Sequence, residues 1–358
     1  MSCKQEKIEP KGDRAMSRES ILELVGAHES VSKAELQAIL PGRVSDATLK
    51  RMLQQLVTEE KLEVTGRGRA TRYRLSTRGR LLSTINLNAY FSREIDERII
   101  ITHFNFDLLT RLLPGTDLFT QSERAHLQQL QHEFKQRFSE LSEQEKHKEL
   151  TRLGIDLSWK SSQIEGNTYT LLETERLLLE QQTASGRTRD EATMLLNHKA
   201  ALDFVTANPD YLQHLSIAHI ENIHTLLVRN LNVERNIRQR RVGITGTNYR
   251  PLDNEYQIRE ALEATCRLVN DTPCVFSKAL LVLVLLSYIQ AFVDGNKRVA
   301  RISANAVLIA HGYCPLSFRS VESLDYKKAM LVFYEQNNIS AFKKIFMEQF
   351  EFAVKTYF

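Results

Sequence analysis

The chain has 358 residues, of which 42% are hydrophobic and 26% are charged, as in ordinary globular proteins with room for two domains and a sizeable core. Its net charge of +4 is unevenly spread, because residues 1–80 hold 16 Lys and Arg against 11 Asp and Glu. The apolar run 279–289 is too short to span a bilayer, the first 20 residues hold no apolar signal segment, and the four cysteines show no Cys-x-x-Cys spacing. We therefore expect a cytosolic protein with reduced thiols, no membrane partner and no zinc site.

The N-terminal segment begins with polar residues and continues with a helical pattern. Residues 1–15 include a proline and a glycine and are expected to be disordered. Apolar residues then recur at helical spacing and predict three helices. Ser32 and Ser45 are the expected N-caps of the second and third helices, which a Pro41-Gly42 pair separates.

After the third helix the apolar pattern changes to alternation. Leu62 and Val64 precede a Gly66-Arg67-Gly68 tip, and Tyr73 and Leu75 follow it, which predicts a short hairpin. Three helices and a hairpin predict a winged helix-turn-helix domain over 16–80, with its recognition helix at 48–56. The candidate DNA-contacting residues are Thr48, Lys50 and Arg51 in that helix and Arg67, Arg69, Arg72 and Arg74 in the wing, followed by Arg78 and Arg80.

The wing is strongly basic, since no acidic residue lies between 66 and 80. A cluster of this kind suits contact with nucleic-acid phosphates, and we expect the module to bind DNA. The alternative is that the wing is a solvated loop and that the module serves homodimer formation or partner docking, for which helix-turn-helix folds are often used.

The rest of the chain is predicted to be helical. Residues 81–118 are expected to connect the domains, and 119–358 show helical spacing almost throughout. The one expected exception is a β-hairpin at 240–252, where Val242 and Ile244 alternate with glycine and threonine. The expected fold class is therefore mainly α, an all-helical domain with one β-hairpin behind an N-terminal winged helix-turn-helix.

The segment 290–301, QAFVDGNKRVAR, carries the clearest chemical signal. An apolar helix ends there at an Asp-Gly-Asn turn, and a second helix begins. Such a turn presents several backbone N–H groups and the positive end of a helix dipole to one point, which suits a pyrophosphate. Arg298 and Arg301 lie three residues apart, so both guanidinium groups can bind one anion. Asp294 supplies a hard oxygen ligand for a Mg²⁺ that bridges two phosphates.

This segment resembles the motif H-x-F-x-(D/E)-G-N-(G/K)-R-x-x-R of the Fic family. The matching residues are Phe292, Asp294, Gly295, Asn296, Lys297, Arg298 and Arg301. Two further segments are similar to signatures of the same family. Residues 161–167, SSQIEGN, resemble the inhibitory (S/T)-x-x-x-E-(G/N) motif, and 242–251, VGITGTNYRP, resemble the flap hairpin. The resemblance covers roughly 100–358, and we place the Fic domain at 119–358.

The resemblance implies a bacterial-type protein adenylyltransferase. Such an enzyme binds ATP and Mg²⁺ and transfers AMP to a Ser, Thr or Tyr hydroxyl of a target protein. The implied nucleotide-binding residues are Thr245, Gly246, Gly295, Asn296, Lys297, Arg298 and Arg301, with catalytic roles for Asn296 and Arg298 and a Mg²⁺ ligand at Asp294.

The inhibitory motif, Ser161, Glu165 and Gly166, is implied to act within the same chain. The family's corresponding glutamate pairs with the second motif arginine, here Arg301, and withholds it from the γ-phosphate. The alternative for Glu165 is a helix-terminal carboxylate that faces water.

The family's catalytic histidine is replaced by Gln290. An amide has no pKa near neutrality, so it can orient a hydroxyl but cannot remove its proton. Loss of a positioned general base typically costs about 10²–10⁴ in rate, and we therefore expect weak or absent transfer activity. A natural loss, an engineered substitution and a base recruited from elsewhere all stay open. Further departures at Ala291 and Val299 favour the natural loss.

Two other functions stay open. One is a non-catalytic regulator in which nucleotide occupancy alters DNA or partner binding. The other is a toxin-like kinase or nucleotidyltransferase, because Lys297 also occurs in the related Doc toxins, which transfer the γ-phosphate. Gly295, which is usually alanine in that subgroup, favours AMP transfer instead.

Overall fold

The computed structural model describes residues 18–26, 28, 30–40 and 45–358. It divides the chain into two units, Met1–Ile85 and Asn86–Phe358. The segment 1–15, expected to be disordered, and the Pro41-Gly42 pair both lie outside the described residues. The boundary after Ile85 falls close to residue 80, where the sequence places the end of the N-terminal module.

The first unit consists of three helices, a two-stranded antiparallel hairpin and a fourth, short helix. Its elements are α1 (Arg18–Gly26), α2 (Lys33–Ile39), α3 (Asp46–Thr58), β1 (Leu62–Thr65), β2 (Arg72–Leu75) and α4 (Thr77–Leu82). Ser32 forms a capping box with Glu35 at α2, and Ser45 caps α3. The strands pair with Leu62 opposite Leu75, and apolar side chains of the first three helices and both strands form one core. The helices and the hairpin therefore lie where the apolar pattern predicts them.

The second unit is helical, which confirms the expected mainly α class. Its helices are α5 (Leu87–Phe91), α6 (Gln121–Glu140), α7 (Glu143–Ile164), α8 (Leu171–Glu180), α9 (Arg189–Ala207), α10 (Ile217–Leu227), α11 (Glu255–Asp271), α12 (Val275–Ile289), α13 (Asn296–Ala310), α14 (Ser323–Gln336) and α15 (Ser340–Tyr357). In the part of the chain that the structure describes, no helix is long and apolar enough to cross a membrane.

The helices α12 and α13 form the centre of this unit. All but two residues of α12 are buried, and α13 packs against α12 and also contacts α7, α9 and α10. Burial of both helices fixes the turn between them, residues 290–295, from two sides. The same packing brings the C-terminal end of α7 beside the first turns of α13.

The β-hairpin predicted at 240–252, termed the flap loop from here on, is not formed. The segment has a turn at Thr245-Gly246 and no strand on either side of it. Its backbone groups bond to other parts of the chain: the Arg250 N–H donates to the Thr102 carbonyl at 2.9 Å, and the Gly246 carbonyl accepts from Arg98 at 3.0 Å. Alternation of Val242 and Ile244 is a local signal, and these long-range partners replace the cross-strand ladder that it predicts.

Candidate functional site

The turn between α12 and α13 has two left-handed residues. Gln290 ends α12 with φ 53° and ψ 55°, and Gly295 precedes α13 with φ 85°. The second position favours glycine, because an L side chain rarely adopts this conformation. Gly295 also gives α13 no side-chain cap, so the first amides of α13 are left for a ligand or solvent.

Asn296 holds this turn together. Its side-chain Oδ1 accepts from the Phe292 N–H at 2.8 Å, and its Nδ2 donates to the Phe292 carbonyl at 2.8 Å. The same Nδ2 lies 3.2 Å from Gln290 Oε1, while Gln290 Nε2 donates to the Ser287 carbonyl at 2.6 Å. Both ends of the Gln290 amide are thus bonded, one to Ser287 on α12 and one to Asn296 at the start of α13, and the residue is 8% exposed. In this arrangement Gln290 links α12 to the turn.

Arg298 and Asp294 form an ion pair at the first turn of α13. Arg298 Nη2 donates to Asp294 Oδ2 at 3.1 Å, and the Asp294 side chain is 62% exposed while that of Arg298 is 1% exposed. Asp294 Oδ1 accepts from the Gly295 N–H at 2.6 Å. Within the described residues, no group of three or more His, Cys, Asp or Glu is arranged to hold a metal. The donor set fits a Mg²⁺ held by one carboxylate together with phosphate oxygens and water.

Arg301 and Lys297 both contact Glu165, the residue that ends α7. Arg301 Nη2 donates to Glu165 Oε1 at 2.7 Å, and Lys297 Nζ donates to Glu165 Oε2 at 3.3 Å. Arg301 is also bonded to Ser161, through Nε to the hydroxyl at 2.8 Å and through Nη2 to the carbonyl at 3.0 Å. A carboxylate therefore occupies the cationic end of α13. We refer to Glu165, Lys297 and Arg301 as the carboxylate clamp.

Glu165 stays ionised at neutral pH. Burial raises the pKa of the Glu165 carboxyl, but Arg301 and Lys297 more than offset this and hold the pKa below its usual value. A carboxyl with a lowered folded pKa stabilises the fold above its ordinary pKa, and the stabilisation is lost only as pH falls through the folded value. Gly166, which follows Glu165 after the end of α7, has φ 102°, a left-handed conformation that favours glycine.

Both motif arginines keep unused donors. Arg298 Nε and Arg301 Nη1 are buried and have no hydrogen-bond partner among the described residues. Buried polar groups are almost always bonded to protein, water or ligand.

His198 on α9 is fully buried near both arginines. Burial and the charge of the two arginines lower the pKa of its imidazole, so His198 is neutral.

A cleft of about 380 Å³ opens over the carboxylate clamp. Its walls come from the end of α7, the flap loop, the turn at Gln290, the start of α13 and one face of α14. Ile164, Ile244 and Tyr334 give it an apolar part, and Glu165 and Lys297 give it a charged end. Of the two flap residues expected at the nucleotide, Thr245 lines the cleft, whereas Gly246 faces Leu331 and Arg98.

Two residues that the sequence analysis did not single out support the turn. His224 on α10 stacks on the Phe292 ring with centroids 3.7 Å apart, and its Nε2 lies 3.0 Å from the Asp294 carbonyl. Arg238, 1% exposed, donates through Nε to the Gln290 carbonyl at 2.6 Å and through Nη2 to the Leu252 carbonyl. Only backbone carbonyls accept from Arg238 among the described residues. The spacing of residues along the sequence does not predict these contacts, because His224 lies 70 positions from Asp294 and Arg238 lies 52 positions from Gln290.

The candidate DNA-contacting residues lie in the first unit and differ in how they are held. Arg72 bonds to Ser30 and Glu35, and Arg74 pairs with Glu63 across the hairpin at 3.0 Å. Within the described residues, no side-chain partner is found for Arg67 or Arg69. Lys50 and Arg51 are exposed on α3, while Thr48 bonds to the Ser45 hydroxyl at 2.8 Å. The exposed part of the set is therefore Lys50, Arg51, Arg67 and Arg69, with Arg74 exposed but paired.

Comparison with known sequences finds a family match in the part of the chain that holds the turn. Residues 214–308, which include the turn and most of α13, match the model of the Fic/DOC family. A relative, protein adenylyltransferase fic-1 of Caenorhabditis elegans, is 26% identical over 159 residues, which cover 43% of this chain and 31% of that protein. The chain therefore contains a Fic domain, and the aligned part spans about a third of this relative.

Solved structures that are similar to the chain include the following three. A fragment of Fic-1 from C. elegans has a TM-score of 0.58 at 21% identity, over 66% of this chain and 72% of that one. A Fic domain containing signaling protein from Bacteroides thetaiotaomicron has a TM-score of 0.55 at 19% identity, over 65% and 95%. A Fic family protein from Desulfovibrio desulfuricans has a TM-score of 0.55 at 18% identity, over 68% and 75%. These likenesses show the Fic fold.

Proposed function

We propose that the cleft binds ATP or another adenine nucleotide, that Glu165 restrains this binding within the chain, and that AMP transfer is weak or absent because Gln290 replaces the base. The carboxylate clamp carries this proposal. A carboxylate bonded to Arg301 and Lys297 at a helix start is an internal anion, and it marks where a phosphate group of a ligand would bind. The apolar part of the cleft suits a purine ring, and its volume suits a small ligand.

Restraint by Glu165 follows from charge. A triphosphate placed at the start of α13 would meet the Glu165 carboxylate, and two anions repel strongly in a partly dehydrated cleft. Arg301 is also bonded to Ser161 and is fully buried, so it cannot turn to a phosphate without losing its present partners. Nucleotide binding therefore requires that Glu165 be displaced or neutralised.

AMP transfer requires a proton acceptor. A hydroxyl oxygen of the target forms a bond to the α-phosphorus, pyrophosphate leaves, and the hydroxyl proton must pass to a base. Gln290 cannot accept that proton, and its amide is bonded to Asn296 and Ser287. Phosphate positioning by Asn296, Lys297 and Arg298 remains, and positioning supplies much of phosphoryl-transfer catalysis. Mg²⁺, when bound at Asp294, would supply charge compensation on the phosphates.

The test of the nucleotide site is the Arg298→Ala substitution in a Glu165→Gly background. We expect it to weaken binding of ATP by about 1.5–3 kcal/mol, the range for a hydrogen bond to a charged group, which is roughly 10- to 150-fold in Kd. Fluorescence titration with a labelled ATP analogue measures this, and circular dichroism checks that the variant is folded. Arg267→Ala, at an exposed position on α11, is the matched control and should leave Kd unchanged. Equal Kd values for both variants would refute the site.

A second candidate function is DNA binding by the first unit. It is favoured by the exposed basic residues Lys50 and Arg51 on α3 and by Arg67 and Arg69 at the hairpin tip, which have no ion-pair partner among the described residues. A helix and a wing of this kind can contact a groove and the adjacent phosphates. The protein would then be a nucleotide-responsive DNA-binding regulator.

Substitution of the hairpin tip tests this second function. Arg67→Ala with Arg69→Ala should reduce the salt dependence of duplex-DNA binding by roughly one unit of slope per lost phosphate contact. Arg74→Ala removes one positive charge and leaves the tip intact, and because Arg74 is already paired with Glu63 we expect a change smaller than that of one tip arginine. Fluorescence anisotropy across a salt series gives the slopes. Binding that is undetectable, or that does not depend on salt, would assign the module to protein docking.

A further inference from the structure

Arg98 contacts α14 and the flap loop at the same time. Its Nη1 donates to both carboxylate oxygens of Glu335 at 3.1 Å, and its Nη2 donates to the Gly246 carbonyl at 3.0 Å. The Arg98 and Glu335 side chains are 4% and 0% exposed. A buried guanidinium thus joins two elements that lie 237 and 148 positions away in the sequence.

Neighbouring residues hold Arg98 and Glu335 in place. The Tyr90 hydroxyl on α5 donates to Glu335 Oε2 at 2.6 Å, and the Ile101 N–H donates to the Glu335 carbonyl at 2.8 Å. The Arg98 guanidinium lies 5.1 Å from the centre of the Phe91 ring, a cation–π distance. The segment 86–105, which we term the strap, is therefore fixed along α14.

The strap also holds the flap loop beyond Gly246. Asn248 Nδ2 donates to Asp96 Oδ1 at 3.1 Å, and the Arg250 N–H donates to the Thr102 carbonyl at 2.9 Å. Of the strap's contacts to the loop, the one from Arg98 is made by a buried charged group, and buried charge-assisted bonds are the stronger kind.

The tip of the flap loop is also part of the cleft. Ile244 and Thr245 line it, and a Cβ at Gly246 would lie 3.6 Å from the Cδ1 atom of Leu331, another lining residue. Arg98 itself does not line the cleft. Any effect of Arg98 on a ligand must therefore act through the position of the loop.

We propose that Arg98 is a positioning residue that holds the tip of the flap loop over the cleft and so sets its affinity for ligand. The part of this inference that concerns nucleotide rests on the proposed function. The planar fork of arginine matches the two acceptors, Glu335 and Gly246, at once, whereas a lysine ammonium is a point charge that pairs with one of them.

Hydrogen exchange of the Tyr249 and Arg250 amides in the full chain without ligand tests the positioning role. Arg98→Lys should keep the pair with Glu335 but lose the Gly246 contact. The neutral pair Arg98→Met with Glu335→Gln removes the buried charges together, so neither is left unpaired, and keeps an acceptor for Tyr90. We expect both variants to speed exchange at these two amides by about tenfold or more, the effect of losing one charge-assisted hydrogen bond. The Gly166 amide, which donates to Gln163, should keep its rate.

Arg93→Met is the matched control, because Arg93 lies on the same strap and is exposed. It should leave exchange in the loop unchanged. Unchanged exchange in the Met/Gln variant would overturn the proposal and leave Arg98 as part of a structural ion pair.

ATP binding tests the link to affinity. In a Glu165→Gly background, Arg98→Lys and the Met/Gln variant should each weaken ATP binding by about tenfold. Faster exchange with unaltered ATP affinity would overturn the link to affinity. Faster exchange with no ATP binding in any variant would uphold the positioning role and reject the proposed nucleotide site.

Discussion

Replacing Gln290 by histidine together with Glu165 by glycine is expected to produce strong AMP transfer. The two residues act on different steps, since Gln290 stands where a proton acceptor is needed and Glu165 stands where the triphosphate must bind. A positioned imidazole contributes about 10²–10⁴ in rate, and we expect the double variant to exceed Glu165→Gly alone by that factor. Gln290→His alone should stay restrained by the carboxylate clamp.

Incorporation of label from α-³²P-ATP into protein measures this rate. It should rise across the imidazole titration near pH 6–7, because the neutral ring is the base. The matched control is Glu165→Gly with Gln290→Ala, which loses the same amide contacts to Asn296 and Ser287 and gains no base. Equal labelling by the alanine and histidine variants would show that residue 290 is not where the proton goes.

The Glu165→Gly substitution alone should lower the free energy of unfolding of the ligand-free protein. The stability of this variant should then depend on the concentration of ATP. Arg301 is fully buried, and removal of one partner from a buried ion pair typically costs about 3–5 kcal/mol. We expect about 3 kcal/mol because Arg301 keeps its two bonds to Ser161, and in a domain of this size this lowers Tm by roughly 4–5 °C. ATP at about 100 times its Kd should return about 2.7 kcal/mol.

Thermal denaturation with and without Mg–ATP measures both effects. AMP should restore less, because it lacks the phosphates that would pair with Arg301. Glu165→Gln keeps the length of the side chain and removes its charge, so we expect a smaller loss of stability and a smaller response to ATP. A Glu165→Gly variant as stable as the parent would mean that the Glu165–Arg301 pair does not stabilise the fold. A loss of stability that ATP does not reverse would place the nucleotide elsewhere.

The turn between α12 and α13 could be predicted from the sequence, because its residues lie close together along the chain. The Asp-Gly-Asn turn between an apolar helix and a cationic one, with a positive φ at Gly295, follows from local rules for glycine and for helix ends. The helices and caps of the first unit, including the Ser32–Glu35 capping box, follow from the spacing of apolar and capping residues.

The residues that fix the turn and the loop could not be predicted, because they act across long sequence separations. Arg238 and His224 approach the turn from 52 and 70 positions away, and Arg98 reaches Gly246 from 148 positions away. In the sequence they look like ordinary helix or loop residues. The flap hairpin was predicted wrongly for the same reason, since the carbonyl groups of the loop bond to these arginines and not to a second strand.

Calorimetric titration of Mg–ATP into the parent protein and into Glu165→Gly tests most directly whether the cleft is a nucleotide site restrained by its own carboxylate. We expect binding by Glu165→Gly that is tighter than that of the parent by on the order of 10- to 100-fold, because Arg301 and Lys297 become available to phosphate. Failure of Glu165→Gly to bind ATP, with the variant shown to be folded, would contradict the account.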